Sequence, residues 1–241
     1  MSLTDVWSKW KDKASRSLKK RGVAGTAGFV PVYLARLLWA RYSPREQWFR
    51  YLDRRFAVDT AGTLFLPELR SDPRFKYSNE YGPTPAPLFF RILRQIDADF
   101  RRFVFIDFGC GKGKALLLAS QLPFQQIIGI ELSSKLIRIA EDNLRGYLGK
   151  AGKHDRFRLV CMDASEFQIP HEPAILYFAN PFRAEVMSQV LGNIRRSLAA
   201  APREIYFVYL VPVHQGLLVE SGFLTPVKRT FWYVIYKASG I

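Results

Sequence analysis

The sequence predicts an α/β fold: a mostly parallel sheet with helices on both faces, preceded by a basic, helical N-terminal extension. Three observations carry this. From residue 103 onward, short apolar runs alternate with longer amphipathic ones, the pattern of strand–helix–strand units. The apolar runs lack a strict in–out alternation, as expected of strands covered on both faces. Positive charge is concentrated at one end: residues 1–50 hold 11 Lys/Arg against 3 Asp/Glu, more than half of the chain's net +15.

The 241 residues suffice for one domain with an elaboration, and 49% hydrophobic against 24% charged residues excludes wholesale disorder. Two cysteines, Cys110 and Cys161, exclude a disulfide scaffold and fit a reducing, cytoplasmic setting. His154, His171 and His214 stand apart from one another and from the cysteines, so no metal site is expected.

Residues 1–21 gather seven Lys/Arg around Trp7 and Trp10 and read as a basic helix. Residues 22–35 carry no charge, but Arg36 breaks the run before the ~20 apolar residues that a membrane span needs. Three Gly, a Pro and no cleavage site argue against a signal peptide. The extension, residues 1–76 with the lead-in, is expected to pack on the main domain. The alternative is that residues 1–40 dock on an anionic membrane at its inner face. Arg50–Gly62 is expected to begin on a helix and turn at Ala61-Gly62. Tyr77–Pro87 is dense in Gly and Pro and should be a loop. Leu88–Ile96 has helical spacing.

The main domain, residues 77–241, then reads in order. Strands are expected at Phe103–Asp107, Ile127–Ile130, Phe157–Met162, Ala174–Ala179, Glu204–Val211 and Thr230–Ala238. Helices are expected at Lys114–Leu122, Ser133–Leu148, Ala184–Ala200 and Gln215–Ser221, with Ser133 as an N-cap. The strand aromatics Tyr206, Phe207, Tyr209, Trp232 and Tyr233 are expected to be core.

Parallel sheets bind ligands at the carboxyl ends of their strands, and those ends carry a pattern. The first is followed by Gly109, Cys110, Gly111, Lys112 and Gly113. Glycines at alternate positions let backbone approach a ligand. A dinucleotide loop would want a third glycine at 114, where this chain has Lys. Asp107 would repel phosphates yet suits a cationic amino group. Glu131 ends the second strand, where an acid can accept from ribose hydroxyls, or merely complement the next helix. Asp163 follows the third, where it can accept from an adenine amine or cap a turn. Asn180-Pro181-Phe182 follows the fourth.

The segments VFIDFGCGKG (104–113), GIELS (129–133), CMDA (161–164) and YFANPF (177–182) resemble the successive motifs of class I S-adenosylmethionine-dependent methyltransferases. The resemblance covers residues 77–241 and implies a Rossmann-like, mostly parallel seven-stranded sheet and S-adenosyl-L-methionine as cofactor. It implies that Asp107 holds the amino-acid end and that Gly109, Cys110, Gly111 and Gly113 line it. Glu131 would take the ribose hydroxyls, Leu132 would flank the adenine, and Asp163 with Ala164 would meet its amine. Tyr81 and Thr84 sit where relatives carry a lid, with ordinary loop packing as the alternative for Tyr81. Asn180, Pro181 and Phe182 resemble the Asp/Asn-Pro-Pro-Tyr/Phe motif of amine and amide methyltransferases, with one Pro missing; Asn180 also borders the cofactor. This leans toward N-methylation of an amine or protein side chain.

RRFAVDTAG (54–62) resembles what precedes the core in uncharacterised bacterial methyltransferase-like proteins. The layout of Tyr loop, glycine motif and Glu-Leu-Ser is loosely similar to class I lysine methyltransferases. Asp59 and Thr60 are expected either to close the substrate side or to form a turn. Protein, small-molecule and lipid acceptors stay open, as do a non-catalytic cofactor-binding role and nucleic-acid binding, the last not favoured.

Overall fold

A computed structural model of the chain describes residues 47, 50–51, 53–55, 57–61, 78, 82–149 and 154–238. The chain divides into two compact units, Met1–Phe49 and Arg50–Ile241. Of the first, only Gln47 is described, and it is helical. The expectations for residues 1–40, for Gly62 and for Tyr81 therefore fall outside the described residues.

The second unit is built on seven strands: β1 Val104–Phe108, β2 Gln126–Glu131, β3 Phe157–Cys161, β4 Ala174–Phe178, β5 Ile205–Leu210, β6 Leu224–Arg229 and β7 Tyr233–Ala238. The described helices are α1 Ala86–Leu93, α2 Lys114–Ala119, α3 Ser134–Leu148, α4 Ala184–Ala200 and α5 Gln215–Glu220, with short 3-10 turns at Phe100–Arg102, His154–Arg156 and Ala164–Glu166. The sheet runs β3-β2-β1-β4-β5-β7-β6. The first five strands in that order pair in parallel, and β7 is antiparallel to both its neighbours. This is the Rossmann-like architecture expected.

The sheet separates two apolar clusters, one per face. Val104, Ile106 and Phe108 of β1 enter one, with Phe178, Phe207, Met187 and Ile194. Phe105 enters the other, with Phe89, Ile92, Leu116 and Tyr177. Strict alternation along β1 thus feeds both layers, which is why the strand reads as continuously apolar. On the first face, Phe108 stacks on Phe178 at 4.6 Å, and Phe178 on Phe207 at 4.2 Å, bracing β1, β4 and β5 with a ladder of rings.

Local chemistry sets the helix ends. The Ser133 hydroxyl accepts from the Leu136 N–H and caps α3. Arg156 donates to the Ser120, Leu122 and Phe124 carbonyls beyond α2. Arg203 donates to the Ser197 and Ala201 carbonyls at the end of α4 and to Pro170 and Glu172. Some of the excess positive charge is therefore structural.

The lead-in helix turns at Ala57 (φ +50), where the Val58 N–H reaches the Asp53 carbonyl. Two expectations need correction. Leu224–Arg229 is a strand that the sequence hides: as an edge strand it carries Pro226, Lys228 and Arg229 and a bulge, so no apolar run marks it. Trp232 is not core. β7 begins only at Tyr233, leaving Trp232 in the hairpin turn at 64% exposure, while Tyr206, Phe207, Tyr209 and Tyr233 are buried.

Candidate active site

Strand order reverses between β1 and its neighbours β2 and β4, and at such a switch point the loops after adjacent parallel strands part to leave a crevice. The loops after β1, β2, β3 and β4 all open at this edge.

The loop after β1 is tied to β2. The Gly109 and Cys110 N–H groups share the Ile130 carbonyl at 2.8 and 2.9 Å, and the Gly111 N–H donates to Glu131 Oε2 at 3.1 Å. Gly109, Gly111 and Gly113 all have positive φ. At Gly109 (φ +77) a Cβ would also lie 2.3 Å from Pro181 Cβ. The missing side chain lets the loops after β1 and β4 touch. Cys110 contributes backbone: its thiol is buried, and burial pushes its pKa well up.

Asp107 sits on β1 opposite Tyr177 of β4. It is 3% exposed, and among the described residues no group donates a hydrogen bond to its carboxylate. Burial, with Glu131 nearby, pushes its pKa up to about 8. Tyr177 donates to Thr84 Oγ1 at 3.1 Å, so the buried Thr84 reaches the same corner from the loop before α1. That loop also pairs with the turn after β4, through a bridge between Ser78 and Phe182.

Glu131 ends β2. Its Oε1 accepts from the Ser133 N–H at 2.9 Å and Oε2 from Gly111. Burial raises its pKa, partly offset by these hydrogen bonds. Each oxygen keeps a further acceptor site. Leu132 is half-buried beside it. Asp163 caps the turn Ala164–Glu166, using Oδ1 for both the Ser165 N–H (2.8 Å) and the Ser165 hydroxyl (2.6 Å). Oδ2 takes no part in these bonds. Ala164 packs on the apolar cluster below.

Asn180 takes up left-handed backbone (φ +52), which Asn tolerates better than most residues, and its Oδ1 accepts from the Tyr209 hydroxyl at 3.2 Å. It does not cap α4, whose N-cap is Arg183. Phe182 is turned inward, 6% exposed and edge-on to Phe178 at 6.1 Å.

Sequence reasoning did not find a polar strap over the glycine loop. Lys112 Nζ donates to Asp59 Oδ1 at 2.7 Å and to the Ala61 carbonyl at 3.0 Å. Asn143 of α3 donates to the Asp59 and Lys112 carbonyls, and its Oδ1 accepts from the Asp59 N–H. Asp53 gathers Thr60 and Ala61, with Lys114 Nζ 3.8 Å away. Asp59 and Thr60 thus anchor the lead-in to the glycine loop. A buried Asn143 one turn before Gly146, where a Cβ would lie 2.9 Å from the Ala57 carbonyl, was the available signal.

Residues 105–201 match the sequence model of a methyltransferase domain. Over these residues the chain is similar to a methyltransferase domain. The match covers β1 to the end of α4, the stretch that carries every strand-end acid described above. No curated protein matches the chain. Among solved structures, an RNA methyltransferase from Salinibacter ruber in complex with S-adenosyl-L-homocysteine is 20% identical; the alignment covers 65% of this chain and 92% of that one, with a TM-score of 0.43. A predicted N6-adenine-specific DNA methylase from Listeria monocytogenes is 15% identical over 66% of this chain and 52% of that one, with a TM-score of 0.50. A ribosomal protein L11 methylase from Lactobacillus delbrueckii is 14% identical over 64% and 76%, with a TM-score of 0.43. At these identities the likeness is one of fold. The chain holds no cluster of three or more His, Cys, Asp or Glu suited to a metal among the described residues, and no described helix is long and apolar enough to cross a membrane.

Proposed function

We propose that this methyltransferase transfers its methyl group to the nitrogen of an amine or protein side chain presented at the Asn180–Pro181 turn. The observation that carries the reading is the contact between that turn and Gly109, with Asn180 Oδ1 held toward the same edge by Tyr209. Cofactor loop and acceptor turn are packed against each other, which is what in-line transfer requires.

The residues fit the cofactor. A buried carboxylate with no donor among the described residues, Asp107, matches the ammonium of an amino-acid end. Glu131, already oriented by two backbone N–H groups, has acceptor capacity for the ribose hydroxyls. Asp163 Oδ2 would accept from the adenine amine, with Leu132 and Ala164 flanking the ring and Thr84 closing the Asp107 corner. Three acids at the strand ends suit a ligand rich in amines and hydroxyls. The bound cofactor supplies an electrophilic methyl group on a sulfonium.

The protein's own part is orientation and exclusion of water. An attacking amine must arrive deprotonated. Asn180 Oδ1 and the neighbouring backbone carbonyls accept its N–H hydrogens and leave its lone pair aimed away from them, toward the glycine loop. Phe182 supports this turn from below through Phe178. The strap through Lys112 keeps the loop after β1 fixed while ligands exchange.

The test has two arms. Asp107→Ala and Glu131→Ala should each abolish S-adenosyl-L-homocysteine binding in calorimetry while the fold survives; wild-type affinity in both would sink the cofactor assignment. Labelled methyl transfer into lysate, separated into protein, small-molecule, lipid and RNA fractions, should place the label on nitrogen. Label on RNA carbon or oxygen would refute the acceptor reading.

A further inference from the structure

The carboxyl edge of the sheet carries a second feature, beyond the crevice. β5 ends at Leu210, and β6 and β7 are joined at the same edge by the turn Thr230–Tyr233, because β6 runs in the direction of β5. Four large apolar residues stand exposed there: Val211 at 51%, Val213 at 65%, Phe231 at 85% and Trp232 at 64%. They form one rim. The Val211 N–H donates to the Trp232 carbonyl at 2.8 Å, the Val213 N–H to the Val211 carbonyl at 2.7 Å, and the Phe231 and Trp232 rings meet edge-on at 5.0 Å.

The rim is built and held. The Thr230 hydroxyl accepts from the Tyr233 N–H, and the Thr230 N–H donates to the Tyr233 carbonyl at 2.9 Å, fixing a tight turn. Such turns ordinarily carry small polar residues at their tips. Val211 adopts φ +49, a strained conformation for a β-branched residue. Strain of this kind persists only where the surrounding structure over-determines the backbone, and it clusters at functional sites. Val211 is two residues beyond Tyr209, the residue that holds Asn180. Lys228 and Arg229 are exposed at the end of β6, with the Arg229 guanidinium 5.6 Å from the Tyr236 ring.

We propose that Val211, Val213, Phe231 and Trp232 insert into the surface of an anionic lipid bilayer, with Lys228 and Arg229 at the headgroups, so that the acceptor amine is one presented at that surface. The rim is a hairpin turn and strand end of mixed aliphatic and aromatic side chains. A fluid apolar layer accepts such a shape without a complementary pocket, whereas base stacking has no use for valine. Aromatic rings belong at a bilayer interface, and bases beside them meet anionic headgroups. That the acceptor is reached from this surface rests on the methyl-transfer reading; the membrane contact itself does not.

Sedimentation of the full chain with vesicles tests it. The wild type should pellet with phosphatidylcholine vesicles carrying roughly one-third phosphatidylglycerol and remain in solution with phosphatidylcholine alone. Phe231→Ser/Trp232→Ser should lower the apparent partition coefficient about tenfold or more, and Val213→Ser by a smaller factor. Both variants should keep wild-type melting and S-adenosyl-L-homocysteine affinity. A double variant that pellets like the wild type would overturn the proposal, because residues elsewhere would then carry the contact. So would a wild type that ignores anionic vesicles but binds a single-stranded oligonucleotide through Phe231 and Trp232. Because cofactor affinity is measured separately, failure of the rim and failure of the site assignment give different results.

Discussion

Ligand binding at Asp107 should move protons, with a sign and size that follow from its burial. With a pKa near 8, the Asp107 carboxyl of the free protein is about nine-tenths protonated at pH 7. A ligand ammonium beside it stabilises the carboxylate, so the complex holds Asp107 ionised. Binding of S-adenosyl-L-homocysteine at pH 7 should therefore release close to one proton, ~0.9. Affinity should rise about tenfold per pH unit below pH ~7. Above pH ~8 Asp107 of the free protein is itself ionised, so the gain levels off, and affinity falls once the free ligand's α-amino group loses its proton. Calorimetry in buffers of different ionisation enthalpy reads the proton number directly. A binding enthalpy independent of buffer at pH 7, together with a flat affinity profile, would refute the pairing of Asp107 with an ammonium.

The same burial predicts a stability slope: the folded protein holds a proton on Asp107 that the unfolded chain gives up near pH 4, so the ligand-free protein loses stability as pH rises from there through about 8. Thermal melts should show this fall, and Asp107→Asn should flatten it by the part that Asp107 contributes, leaving the slope of the same sign from Glu131. Gly109→Ala forces a side chain at φ +77 into Pro181 and should cost about 2 kcal/mol or more in denaturant unfolding, with loss of cofactor binding. Lys112→Met removes the cation that holds Asp59 and the Ala61 carbonyl; about 1–2 kcal/mol should be lost, with faster amide exchange at residues 57–61 and unchanged exchange in β4 and β5. Tyr209→Phe removes the hydrogen bond to Asn180 Oδ1 and should slow methyl transfer about tenfold while leaving cofactor affinity unchanged.

The sequence alone determined the α/β order, since that order is written in local signals. Apolar runs of strand length, an α4 read to its observed ends, and Ser133 before α3 depend only on neighbouring residues. The strand-end acids were legible for a related reason. Parallel strands bring their carboxyl ends to one edge, so Asp107, Glu131 and Asp163 meet wherever the alternation holds. Edge strand β6 was not legible, because an edge strand is selected for charge and Pro instead of apolar content. Tertiary structure decided the rest. It made Asp163 a turn cap as well as a free acceptor oxygen, turned Phe182 inward, and left Trp232 outside the sheet. It also joined Asp59 to Asn143 across 84 residues of chain and seated Pro181 in the space a Gly109 side chain would fill. Those contacts depend on which distant side chains come within a few ångströms, and periodicity and composition carry no record of that distance. Residue type thus set which chemistry the crevice can perform, and packing set which atoms remain available to perform it.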